Sequence, residues 1–212
     1  MNKLLDAALA YAERGWPVFP CKIDKTPYTK HGVHDATTDK RILKKMWAEH
    51  PNANIGFAVG EANMMTLDYD TGWNIEELIA NVGPIPKTDL RCKTPTGGFH
   101  DYLGLGRGEK VAASASKLAP HVDVRSFNSY TLLPPSRTKD GEYTWESQGQ
   151  PAYRTDAIYN KANEAVEKSE NWDEWSIEPD QDVNIADAIK WLREEAKIAV
   201  EGQGGDALAF AT

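Results

Sequence analysis

The chain has 212 residues, 41% hydrophobic and 26% charged, a balance that excludes disorder over the whole length and suits one large globular domain or one domain with an appendage. Its net charge of −8 sits in the tail: residues 1–155 hold 19 Lys and Arg against 18 Asp and Glu, whereas residues 156–212 hold 5 against 14, so charge does not exclude a nucleic-acid partner for the first part. No apolar run approaches the ~18–20 residues of a membrane span, and Cys21 and Cys92 are too few for a disulfide framework or a Cys-rich zinc site, which points to a cytoplasmic protein with no membrane partner and no zinc.

Leu4, Leu5, Ala8, Leu9, Tyr11 and Ala12 recur at helical spacing, which predicts a helix over 3–14 capped by Gly15. A short strand at 16–20 and an aperiodic loop over 21–37 follow, then a helix capped by Thr38 that carries Ile42, Leu43, Met46 and Trp47 and stops before Pro51. Lys22, Lys25, Lys30, Lys40, Arg41, Lys44 and Lys45 make residues 22–45 locally basic against Asp24, Asp35 and Asp39. Strands are expected at 54–59 and 64–69 with a turn at 60–63, and a helix at 74–82. From 88 to 145 the apolar runs 89–94, 98–103, 121–126, 129–133 and 142–146 predict a mostly antiparallel sheet. Acidic helices are expected near 156–169 and 183–199, and residues 200–212 read as the start of a further domain.

Three groups of residues could carry chemistry. In Leu67-Asp68-Tyr69-Asp70 strand alternation puts both carboxylates on one face, a spacing that suits a hard divalent cation, although two solvated acids at a strand end look the same. Thr94-Pro95-Thr96-Gly97-Gly98-Phe99-His100 pairs a glycine turn, whose amides suit a phosphate, with a histidine on the following strand. A plain hairpin would have the same glycines. Val122-Asp123-Val124-Arg125 turns an acid and a base to one face, which also describes an ordinary cross-strand ion pair. Trp172, Trp175 and Trp191 could stack bases, but the surrounding acids favour packing against a neighbour.

Together these residues carry a resemblance. Tyr11-Ala12-Glu13-Arg14-Gly15-Trp16-Pro17-Val18-Phe19-Pro20, Lys25-Thr26-Pro27, Gly32, Asp35 to Asp39, Pro51-Asn52-Ala53-Asn54-Ile55-Gly56 and Gly60 resemble the N-terminal bifunctional primase–polymerase domain of plasmid and phage replication proteins. The three motifs of the archaeo-eukaryotic primase superfamily are matched by Asp68-Tyr69-Asp70, Gly98-Phe99-His100 and Asp123, and Leu132 to Ser136 and Gly141 to Trp145 fit the closing segment. Where the family often has a glycine-rich turn after its Asp-x-Arg, this chain has Ser126-Phe127-Asn128-Ser129.

The resemblance implies an α+β fold, with an N-terminal α/β module and an RNA-recognition-like antiparallel sheet module meeting over the active site, followed by acidic helices. It implies a catalytic domain over 1–155, an acidic connector over 156–199 and a truncated following domain from 200. The implied activity is template-directed primer synthesis and extension from dNTPs or NTPs on single-stranded DNA, with a helicase in the same chain or in trans. Asp68, Asp70 and Asp123 would hold two Mg²⁺ or Mn²⁺ ions; His100, Arg125, Thr96, Gly97, Gly98 and Lys25 would bind the nucleotide. Metal acids of this kind also serve nucleases and Asp-x-Asp transferases, and a four-stranded sheet can bind single strands without catalysis.

Overall fold

The computed structural model describes residues 2–164. The Asn2 side chain accepts from the amides of Leu4 and Leu5 and opens helix α1, Lys3–Glu13, which buries Ala8, Tyr11 and Ala12. Val18–Cys21 forms β1, and the loop that follows contains a 3₁₀ turn at Gly32–Asp35. Helix α2, Lys40–Glu49, is capped by Asp39 rather than Thr38. Asp39 accepts from the Arg41 and Ile42 amides at 2.7 and 3.4 Å, a reach that Thr38, one residue earlier, does not have. Hydrogen bonds from the Arg41 side chain and amide hold the Asp39 carboxyl down at about 2, against an ordinary 3.8. A depressed acid contributes stability above its unfolded-state pKa and loses it as pH falls through the folded value. Asp39→Ala is therefore expected to lower Tm at neutral pH, with the difference from wild type closing between pH ~4 and ~2; a thermal melt series checks it.

The remaining elements are β2 Asn54–Phe57, β3 Met64–Tyr69, α3 Ile75–Val82, β4 Leu90–Lys93, β5 Phe99–Gly104, β6 Ser114–Ala119 and β7 Val122–Arg125, followed by β8 Thr131–Leu133, β9 Arg137–Thr138, β10 Gly141–Glu142, β11 Thr144–Gln148, β12 Ala152–Tyr153 and α4 Asp156–Asn163. Strands β1, β2 and β8 form one antiparallel sheet, and β9 and β10 a hairpin. The large sheet runs β11-β4-β5-β3-β7-β6, with β12 added parallel to the end of β5. The class is α+β, as the sequence indicates. Strand β6 goes against the sequence reading, which placed no strand there: SASKLA has no apolar alternation, lies at the sheet edge and breaks register on β7, with Ser116 at φ 50°.

Period-2 alternation divides the large sheet's side chains between two cores. Met64, Leu90, Cys92 and Tyr102 join Tyr11, Trp16, Phe19, Trp47, Ile55 and Phe57 from the N-terminal elements. Within this core the Trp145 indole N–H donates to the Tyr11 hydroxyl at 2.8 Å, and that hydroxyl donates to the Pro134 carbonyl at 2.6 Å. Met65, Leu67, Tyr69, Leu103, Val122 and Val124 pack on the other face with Leu78 and Val82 of α3 and Ile158 and Ala162 of α4. Among the described residues no helix is long and apolar enough to cross a membrane.

Helix α4 ends at Asn163, short of the expected 169, because Glu164 takes φ −52° and ψ 127° and leaves the helical region. Ile158 and Ala162 of α4 are fully buried in the core of the described residues. The expected helix at 183–199, its packing through Ile185, Ala188, Ile189, Trp191 and Leu192, the three tail tryptophans and the 200–212 segment lie outside the described residues. A chain cut after 155 should lose the burial of Ile158 and Ala162, about 3 kcal/mol together, and melt well below a chain cut after 164.

Candidate active site

The central strand of the large sheet is β3, paired with β5 on one side and β7 on the other. Asp68 stands directly opposite His100 on β5 and Asp123 on β7, and Cys92 on β4 stands opposite His100. The row Cys92, His100, Asp68, Asp123 therefore crosses four strands on the face that meets the N-terminal elements. In the next row on that face Thr66 lies between Tyr102 and Arg125. Asp101, the acid beside His100, alternates to the opposite face, where Arg91 holds it through two bonds of 2.6 Å.

Three sequence motifs far apart in the chain thus converge by register. His100 Nε2 lies 3.2 Å from Asp68 Oδ1 with its side chain only 5% exposed. The Tyr102 hydroxyl stands 3.4 Å from the other ring nitrogen and 3.1 Å from the Thr131 hydroxyl. Arg125 bridges two acids, with Nη2 2.7 Å from Asp123 Oδ2 and Nε 3.7 Å from Asp68 Oδ2. Asp123 also accepts from the Ser116 amide at 2.9 Å. Asp70 follows the strand end, where its amide donates to the His121 carbonyl at 2.9 Å.

The two acids of the pair differ electrostatically. Burial pushes the Asp68 carboxyl upward, but the His100 hydrogen bond and the charges of His100, Arg125 and Lys25 outweigh it and hold the group below its ordinary value. Asp70 is raised, by desolvation first and then by the charges of Asp68 and Asp123, against which Lys25 and Arg125 only partly compensate. Asp68 is held as an anion, and Asp70 carries negative charge that is incompletely countered.

A cleft of about 340 Å³ opens beside this row, and Asp68, Asp70, His100, Arg125 and Lys25 all line it. Thr96 lines it as well, with Thr94, whereas Gly97, Gly98 and Asp123 are not among its lining residues. The glycine turn closes on itself: the Gly97 amide donates to the Thr94 carbonyl at 3.3 Å and the Thr94 amide to the Gly98 carbonyl at 3.0 Å. The Thr71 hydroxyl latches the turn to the acid-bearing segment by donating to the Thr96 carbonyl at 3.0 Å. Sequence reasoning gave no role to Asn128, Ser129, Tyr130, Thr131 and Tyr143, which also line the cleft. One signal was available there. Asn128 takes φ 57°, the left-handed conformation that Asn tolerates better than most residues and that the family's glycines would supply.

Among the described residues no three His, Cys, Asp or Glu side chains converge as a ready metal cage, since Arg125 engages Asp68 and Asp123. The donor chemistry nevertheless fits a hard divalent cation: the acids offer only carboxylate oxygens, and Asp70 is raised by neighbouring anions.

Comparison with known families gives a match. The profile described as bifunctional DNA primase/polymerase, N-terminal, matches residues 8–157. Individually curated proteins give no match. A profile covering most of the chain, together with three converging motifs, leads to one conclusion: the chain belongs to the bifunctional DNA primase/polymerase N-terminal family, whose members are nucleotidyltransferases acting with DNA and nucleotide substrates.

Proposed function

We propose that the cleft performs template-directed nucleotidyl transfer, making DNA primers and extending them from nucleoside triphosphates in phage or plasmid replication. The observation that carries this reading is the His100–Asp68–Asp123 row, which register assembles from three separate strands beside a cleft also lined by Asp70, Arg125 and Lys25.

Asp68, Asp70 and Asp123 are the residues to hold two Mg²⁺ or Mn²⁺ ions, which when bound supply Lewis-acid stabilisation to the attacking and leaving oxygens. Arg125 bridges Asp68 and Asp123 and is placed to neutralise phosphate charge when a triphosphate enters. Lys25 adds a second cation at the cleft, and the Thr94 and Thr96 side chains offer hydroxyl donors. His100, buried with Nε2 on Asp68, orients that carboxylate and lines the cleft. The lysines of 22–45 supply the positive surface a single-stranded template needs.

Incubating the protein with Mn²⁺, a primed DNA template and a labelled triphosphate tests the reading. The expected product is primer extension limited to the nucleotide complementary to the template base. Shortened DNA would point to a nuclease instead, and retention of DNA with no change in length to a binding module.

A further inference from the structure

The loop after β1 holds Lys25 in an unfavourable backbone conformation. The Lys22 amide donates to the Thr26 carbonyl at 2.7 Å and the Lys25 amide to the Lys22 carbonyl at 3.0 Å, closing a tight turn. Asp24 braces it by accepting from the Thr26 amide and hydroxyl at 2.9 and 2.6 Å. Lys25 itself has φ 75°, where Gly or Asn is usual and a long side chain is strained. The turn needs no lysine at that position; the cleft does, because Lys25 lines it and its charge acts on both Asp68 and Asp70.

A strained residue keeps its conformation only when its surroundings over-determine it. Here the surrounding group comes from a distant part of the chain. The Tyr130 hydroxyl donates to the Lys25 carbonyl at 3.0 Å. The Tyr130 ring packs edge-on against Phe19 of β1, centroids 5.1 Å apart at 80°, on the strand from which the loop departs. Tyr130 also lines the same cleft.

We propose that Tyr130 is a positioning residue for the incoming nucleotide: anchored on Phe19, its hydroxyl clamps the Lys25 carbonyl and holds the loop tip so that the Lys25 ammonium faces the triphosphate. The inference rests on the nucleotidyl-transfer reading. Without the clamp the tip is held only by its own turn bonds and Asp24, and the lysine is less well aimed, so the loss falls on nucleotide binding and not on the carboxylates.

The test measures KM for the nucleotide and kcat in primer extension for wild type, Tyr130→Phe, Lys25→Gln and the double variant. Phenylalanine keeps the ring contact with Phe19, and a thermal melt verifies the fold. Tyr130→Phe is expected to raise KM by about 3- to 10-fold, the range of one hydrogen bond, with kcat within about two-fold. The double variant should be no worse than Lys25→Gln alone, and Tyr130→Phe should regain its effect in a Lys25→Arg background, where a cation is retained. An unchanged KM in Tyr130→Phe, or effects of Tyr130→Phe and Lys25→Gln that multiply independently, would overturn the inference. A wild-type protein that adds no nucleotide would instead remove the nucleotidyl-transfer reading on which it rests, and the inference with it.

Discussion

Asp68→Asn is expected to lower nucleotide incorporation by about 10³-fold or more, because on the proposed reading it removes a metal-holding carboxylate that lines the cleft. Asp70→Asn should do the same to activity but the opposite to stability. The Asp68 carboxylate is only 17% exposed and is held by His100 and Arg125, so its neutralisation weakens two charge-assisted contacts and lowers Tm. Asp70 is exposed, and its charge is opposed by partial desolvation at the cleft and by Asp68 and Asp123. Losing that charge relieves repulsion and should raise Tm by about one or two degrees, a small figure because solvent screens an exposed group. The pairing of Asp68 with His100 and Arg125 is what separates the two variants. Primer extension and thermal melts on both variants decide the matter. Full activity in either would take that carboxylate out of the site.

Gly98→Ala should be the most damaging single methyl group in the catalytic region. A Cβ at this position would lie 2.0 Å from the Tyr69 carbonyl oxygen and 3.2 Å from the Thr94 hydroxyl. Backbone cannot swing aside as a side-chain tip can, so β3 or the turn before β5 must move. The expected cost is about 3 kcal/mol, or roughly 6–12 °C in Tm for a domain of this size. The movement would be felt one residue either side of Tyr69, at Asp68 and Asp70, and activity should fall further than stability alone explains. Gly97, at φ 89°, has its nearest neighbour 4.0 Å away, so alanine there strains only the local backbone and serves as the milder control.

Where the architecture rests on local periodicity, it could be read before the structure. Alternation in Met64 to Tyr69 and Val122 to Arg125 placed the acids on strand faces, and the apolar spacing of residues 3–14 marked α1. Register could not be read, because the pairings of Asp68 with His100 and Asp123 join residues 32 and 55 apart in number and depend on which strands become neighbours. For that reason the sequence suggested a trio of acids but not the Arg125 bridge across two of them, nor the burial of His100 against Asp68. Asn128 was hidden for another reason: it owes its place at the cleft to a positive φ value, which apolar periodicity does not encode. Edge strand β6, built of small and polar residues, was invisible on the same grounds.

The most direct measurement is a crystal structure of the protein with a non-hydrolysable triphosphate and Mn²⁺, with the ions located by anomalous scattering. Manganese is expected on Asp68, Asp70 and Asp123, with the Arg125 guanidinium released from Asp123 onto the phosphates and Lys25 beside them. A triphosphate bound elsewhere, or bound in the cleft with Arg125 still bridging Asp68 and Asp123 and no metal on the three acids, would contradict the assignment of this row as the catalytic centre.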